Sequence, residues 1–231
     1  MGRRVAAVGG GTAGQVRGLG PRPRPVTGAG VAPARVLRLF EQGDLDGLCG
    51  VYAVVNATRL AAYPHRRLRA ADCHELFAAL LAELAGEGRL RGFVTHGLGP
   101  RVLARLLRRS GRWLRKRHGL ALEVSRPFRK ADEPSPERCL RVLTEHLARP
   151  GTAAIVGSDE HWTVIRGVTP KRLLLADSDG RRHFAVAMMS EVAGTGSASR
   201  PWLPGMLLLE ASPSEAGRQP KAARSGKVQP A

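Results

Sequence analysis

The sequence predicts an α+β fold, with helices gathered in its first part and strands in its last. Three observations lead there. Apolar residues recur at helical spacing between about residues 49 and 148, the period shortens toward two from Thr152 onward, and turn residues cut that later region into short runs. A chain of 231 residues with 43% apolar content can bury one good core, so a single domain with tails is expected. The boundaries read from composition are an arm over 1–33, a folded domain over 34–211 and a tail over 212–231. The arm holds Arg3, Arg4, Arg17, Arg22 and Arg24 among glycines and prolines, without the continuous apolar core of a secretory signal. Both arm and tail are too poor in apolar residues to join a core and read as disordered.

Within the domain, Ala34 to Phe40 is a short apolar stretch leading into a glutamine loop. A helix follows from Cys49, where Val51, Val54, Val55 and Leu60 alternate with small residues, a pattern suited to burial on most sides. A second helix is predicted over Ala70 to Leu84, with Asp72 as N-cap and Leu76, Phe77, Leu80, Leu81 and Leu84 on one stripe; Gly86 and Gly88 end it. Thr95 to Pro100 reads as a turn, Arg101 to His118 as a basic amphipathic helix, Leu120 to Val124 as a strand and Arg126 to Pro136 as a polar loop. Glu137 to Ala148 is a further helix, stopped by Pro150-Gly151. The remaining runs, Ala153 to Val156, Trp162 to Val168, Arg172 to Ala176, Arg182 to Val186 and Met206 to Leu209, are short strands between turns, as in an antiparallel sheet.

No apolar run approaches the roughly 18–20 residues of a membrane span, so no membrane partner is expected. Cys49, Cys73 and Cys139 are odd in number and widely spaced, without a close Cys or His pair suited to zinc. Nothing in the sequence requires a cofactor or metal, and a reducing, cytoplasmic setting is the simplest one for three free thiols. The formal charge of +18 raises the question of nucleic acid. Seven arginines and no acid precede Leu39, and four basic residues stand against Glu215 after Ala211, so ten of those charges lie toward the two ends. The densest internal cluster is Arg101, Arg105, Arg108, Arg109, Arg112, Arg115, Lys116 and Arg117, interleaved with leucines at helical spacing. It is a solvated helix face or a patch for an acidic partner. Scarce aromatics and the absence of a nucleic-acid-binding signature place nucleic acid behind it.

The chemistry-bearing pattern begins at Gln42, followed by a Gly-rich turn that delivers Cys49 to a helix start. Backbone N–H groups at a helix N-terminus stabilise a thiolate, which makes such a cysteine a candidate nucleophile. Far downstream, His161 opens the alternating strand Trp162 to Val168, and after Thr169-Pro170-Lys171 a returning strand runs into Asp177-Ser178-Asp179-Gly180. A hairpin of this kind brings His161 and Asp177 to one end, as a general base and its orienting carboxylate require. Asp179 competes with Asp177 for that place; Asp177 directly follows the apolar run, and Asp179 reads as a turn residue.

Gln, then Cys at a helix start, then a distant His-aromatic-x-Val strand and an Asp after the next strand resembles the papain-like cysteine peptidases. The likeness spans roughly Gln42 to Leu209 and is greatest toward the bacterial branch that contains the double-glycine leader peptidases. Gln42 stands seven residues before Cys49, where the family usually has six. Asp46-Gly47-Leu48-Cys49 also resembles the start of the OTU-type deubiquitinases, whose aromatic and Arg-containing continuation is replaced here by Gly-Val-Tyr-Ala. The resemblance implies a papain-like fold, with an N-terminal helical half carrying the Cys helix packed on a C-terminal antiparallel sheet carrying His and Asp. It further implies a cysteine hydrolase acting on a peptide or protein substrate through Cys49, His161 and Asp177, with Gln42 in the oxyanion hole. The same triad serves deamidation and acyl transfer, and a non-enzymatic basic module binding nucleic acid or an acidic protein is the reading from another class.

Overall fold

The computed structural model describes residues 39–42, 47–128, 132, 134–158, 161–188 and 201–214. The arm over 1–33 and most of the tail over 212–231 therefore lie outside the described residues. The domain is α+β. Among the described residues, five α-helices, α1 (Cys49–Ala62), α2 (Ala70–Ala85), α3 (Leu90–His96), α4 (Pro100–His118) and α5 (Pro136–Leu147), accompany six strands: β1 (Leu120–Ser125), β2 (Thr152–Gly157), β3 (Trp162–Val168), β4 (Arg172–Leu175), β5 (His183–Ala185) and β6 (Trp202–Pro213). Every strand pairing is antiparallel, in the order β1-β6-β2-β3-β4-β5.

Strand alternation explains how one sheet serves two cores. On β2, Ala153 and Ile155 join the helical core built by α1, α2 and α4, whereas Ala154 and Val156 join Cys139, Leu143 and Leu147 of α5. β6 repeats the pattern, with Leu207 and Leu209 on the helical side and Met206 and Leu208 on the other. The sheet is thus covered on both faces, which accounts for the near-continuous apolar sequences of β2 and β6. Helix α1 lies central in the larger core; thirteen of its fourteen residues are buried, Tyr52 being the exception. The small Ala53, Ala57, Ala61 and Ala62 allow that closeness, and Thr58 keeps its hydroxyl satisfied by the Val54 carbonyl and Ser110.

Several boundaries move. Asp72 caps α2 from its third position, its carboxylate accepting the Arg69 N–H at 2.7 Å, so the N-cap is Arg69 rather than Asp72. Residues Leu90–His96, for which no helix was expected and whose Thr95 and His96 were read as the start of a turn, form the short helix α3, whose Phe93 reaches the core. Strand β6 starts at Trp202 and continues to Pro213, where Ser212 and Pro213 pair with Ala121 and Leu120, so the fold runs past the expected boundary at 211. Among the described residues, no helix is long and apolar enough to cross a membrane.

Candidate active site

Cys49 is the first residue of α1, as the sequence suggested. No side-chain hydrogen bond caps this helix end and no acid occupies its first turn, so the thiol sits at the positive end of the helix dipole. The approach is fixed by Gly47, whose N–H donates to the Val94 carbonyl of α3 at 2.6 Å. A Cβ at Gly47 would stand 2.8 Å from the Gly97 nitrogen and 2.9 Å from the Val94 oxygen, so only glycine fits against this backbone. Gly50 is similarly confined by Leu98 and Trp162.

His161 lies in the β2–β3 turn, one residue before β3, with its carbonyl held by the Ser158 N–H at 2.8 Å. Asp177 follows β4, whose pairing with β3 is extended by the Ala176 N–H donating to Val164 at 2.8 Å. The hairpin therefore brings the two side chains together: Nε2 of His161 is 3.2 and 3.1 Å from the two Asp177 carboxylate oxygens. The Cys49 thiol is close enough to the ring to favour its charged form, though outside strict hydrogen-bond geometry; its own hydrogen bond, at 3.9 Å, is to the Gly47 carbonyl. With Nε2 engaged by the carboxylate, Nδ1 is the ring nitrogen left to take a thiol proton.

Electrostatics follow from this arrangement. Burial opposes charge on His161, yet the Asp177 hydrogen bond, the nearby Cys49 thiol and the negative charge of the carboxylate outweigh it and push the imidazole up to about 10. Burial likewise opposes charge on Asp177, and the His161 contact together with the Asp179 N–H, 2.7 Å from Oδ1, holds that carboxyl below its ordinary value. The Thr163 hydroxyl is close enough to favour the carboxylate, though outside strict hydrogen-bond geometry. Asp179 is exposed and offers only its backbone, which separates the two aspartates: Asp177, with a side chain 1% exposed, is the one that meets the imidazole. The His161 side chain is 21% exposed against 4% for Cys49 as a residue, so the imidazole is the member of the group nearest solvent.

Gln42 reaches the same place by its backbone. Its N–H donates to the Ser178 carbonyl at 2.7 Å, one residue beyond Asp177. The segment before it is clamped by Asn56 of α1, whose side-chain amide accepts from the Phe40 N–H at 3.2 Å and donates to the Phe40 carbonyl at 3.1 Å. Residues 43–46, between Gln42 and Cys49, lie outside the described residues. Asn56 was missed in the sequence, although a fully buried amide in an otherwise apolar helix is the signal that would have found it. The indole N–H of Trp162, the residue after His161, donates to the Leu98 carbonyl at 2.6 Å and so ties the sheet to the loop entering α4.

The other thiols and imidazoles are differently placed. Cys73 and Cys139 are fully buried, and burial pushes both thiols up to about 11. His65 and His146 bond backbone carbonyls of β6, at Ala211 and Leu209, as parts of the fold. Among the described residues, no cluster of three or more His, Cys, Asp or Glu side chains is arranged to hold a metal. The chain matches no protein-family model, and it matches no curated protein.

Proposed function

We propose that this protein is a papain-like cysteine hydrolase that cleaves a peptide or isopeptide bond in a polypeptide substrate, acting in the cytoplasm of a bacterium. The observation that carries the reading is the imidazole of His161 held by the Asp177 carboxylate close to the Cys49 thiol, which opens a buried helix. The thiol proton passes to Nδ1 of His161, giving a thiolate and an imidazolium. The thiolate attacks the scissile carbonyl carbon. The resulting oxyanion is met by the Cys49 N–H and by the Gln42 side-chain amide, a donor worth about 3 kcal/mol of transition-state stabilisation. The imidazolium then returns its proton to the departing amine, and a water activated by the neutral imidazole hydrolyses the thioester. Asp177 keeps Nε2 protonated throughout and stabilises the charged ring.

The test compares wild type with Cys49→Ala against a thiol-directed acyl probe and a peptide library read by mass. Wild type takes one label and shortens peptides; the variant does neither. Labelling that persists in the variant, on thiols the structure buries, overturns the reading. Amide-to-acid mass gain without chain shortening would move the reaction from hydrolysis of the chain to deamidation.

A further inference from the structure

Helix α4 carries eight basic residues and no acid, and its surroundings divide them into two groups. The three that face α2 are neutralised: Arg105 by Glu87, Arg109 by Glu83 at 3.8 Å and Arg117 by Glu75 at 2.7 Å. Arg101, Arg108, Arg112, Arg115 and Lys116 have no carboxylate within ion-pair distance among the described residues. All five are exposed. Arg108, Arg112 and Lys116 stand four apart on one face, a spacing of like charges that destabilises a helix. Nothing within the described fold offsets it. Between α4 and α2 lies a groove of about 590 Å³, and Arg112 and Lys116 stand on its wall beside the buried Trp113.

The start of α4 belongs to the candidate active site. Leu98, two residues before the helix, packs against Gly50, the neighbour of Cys49, and its carbonyl receives the indole N–H of Trp162, the neighbour of His161. From that end a helix of 19 residues extends about 28 Å, with unpaired cations from Arg101 in its first turn to Lys116 in its last. We infer that the outer face of α4 is an exosite that docks an acidic stretch of the polypeptide substrate, remote from the bond presented to Cys49. The inference rests on the hydrolase reading for its substrate, and on the charge distribution for its chemistry. Guanidinium forks match carboxylates in pairs, and four of the five free cations are arginines. A nucleic acid fits less well. The helix's one Trp, Tyr or Phe, Trp113, is buried with its N–H given to Glu75, which leaves no exposed ring of these types on α4 for base stacking.

The experiment measures anisotropy of a fluorescein-labelled deca-glutamate peptide with the full chain at several salt concentrations. Wild type and Cys49→Ala are expected to bind it equally, with affinity falling as salt rises. Arg108→Glu/Arg112→Glu/Arg115→Glu should weaken binding by about tenfold or more, and the charge-preserving Arg108→Lys/Arg112→Lys/Arg115→Lys by no more than about threefold, with melting curves confirming that both fold. Equal affinity in wild type and the glutamate variant overturns the inference, because the peptide is then held elsewhere. So does tighter binding of a ten-nucleotide oligo-dT that is lost on the same substitutions. A wild-type Cys49 that takes no acyl probe removes the hydrolase reading alone, since peptide binding is read independently of it.

Discussion

Asp177→Asn isolates what holds the His161 charge. The substitution keeps the shape and a carbonyl oxygen near Nε2 and removes the negative charge. In the native site the imidazole stands at about 10 against an ordinary 6.5, a preference for the charged ring of about 5 kcal/mol. That preference survives burial, which works against it, and the Asp177 hydrogen bond is the foremost of the contributions that raise it. If the carboxylate supplies at least half, its loss lowers the His161 midpoint by about two pH units or more. The remaining Cys49 contact then has to oppose burial alone. The measurement is a histidine-labelled NMR titration of wild type and variant, with iodoacetamide alkylation of Cys49 followed over the same pH range. Alkylation near pH 6 should slow by about tenfold or more, because fewer molecules hold a thiolate opposite an imidazolium. A His161 midpoint in the variant within about half a pH unit of wild type would refute the assignment of Asp177 as the orienting carboxylate.

Gln42→Ala should lower kcat by about 10²–10³ while leaving the rate of Cys49 alkylation near that of wild type, because the side-chain donor acts on the oxyanion and not on the thiol; equal losses in both would assign Gln42 to the fold. Gly47→Ala forces a methyl against the Gly97 nitrogen and Val94 oxygen and breaks the 2.6 Å bond between Gly47 and Val94, costing about 1–3 kcal/mol. A thermal melt should show the fall in Tm, and a variant as stable as wild type would contradict the tight approach of α3. The His161–Asp177 pair also sets a window of stability. The raised imidazole contributes fully below its unfolded value of 6.5 and loses that contribution as pH rises through about 10, whereas the depressed carboxyl contributes above its unfolded value of 3.8 and loses it as pH falls through its folded one. The stability difference between wild type and Asp177→Asn is therefore expected to be largest between about pH 4 and 7 and to shrink toward pH 10 in denaturant melts; a difference that grew above pH 9 would contradict it.

Local periodicity made most of the architecture legible. The helix opening at Cys49 stands where the apolar spacing put it, because thirteen buried positions leave little freedom in where such a segment can begin or end. The β3–β4 hairpin was legible for a different reason: Thr169-Pro170 and Asp179-Gly180 punctuate runs whose alternation is unambiguous. What escaped depends on long-range pairing. Helix α3 has seven residues and gains its stability from Phe93 in the core and from the Gly47–Val94 bond, neither of which appears in its own sequence. The first residues of β6 carry Pro204 and Gly205 and follow Pro201, signals of a loop, yet Trp202 pairs with Gly157 across a register shift in β2. The candidate site divides in the same way. Cys49, His161 and Asp177 follow from residue type at element ends, whereas the clamp of Asn56 on Phe40 joins residues sixteen apart and emerges only once the chain has folded.

The arrangement of these supports indicates why one thiol of three is suited to chemistry. Cys73 and Cys139 lie on the core-facing stripes of α2 and α5, where burial favours the neutral thiol. Cys49 is almost as inaccessible by area, so exposure does not distinguish it. Position at a helix end and contact with an imidazole do. That imidazole belongs to the sheet while the thiol belongs to a helix, so their contact is only as fixed as the joint between the layers. The joint is specific: Trp162 bonds Leu98 across it, Gly50 lets Leu98 and Trp162 approach the helix start, and Gly47 is locked to α3. Removing the indole N–H by Trp162→Phe should therefore affect reactivity more than stability. It leaves one carbonyl short of a partner, a cost of about 1–3 kcal/mol, but it loosens the distance between base and thiol on which proton transfer depends. A Trp162→Phe variant that melts several degrees lower yet alkylates at Cys49 as fast as wild type would show that the layers are held in register by packing alone.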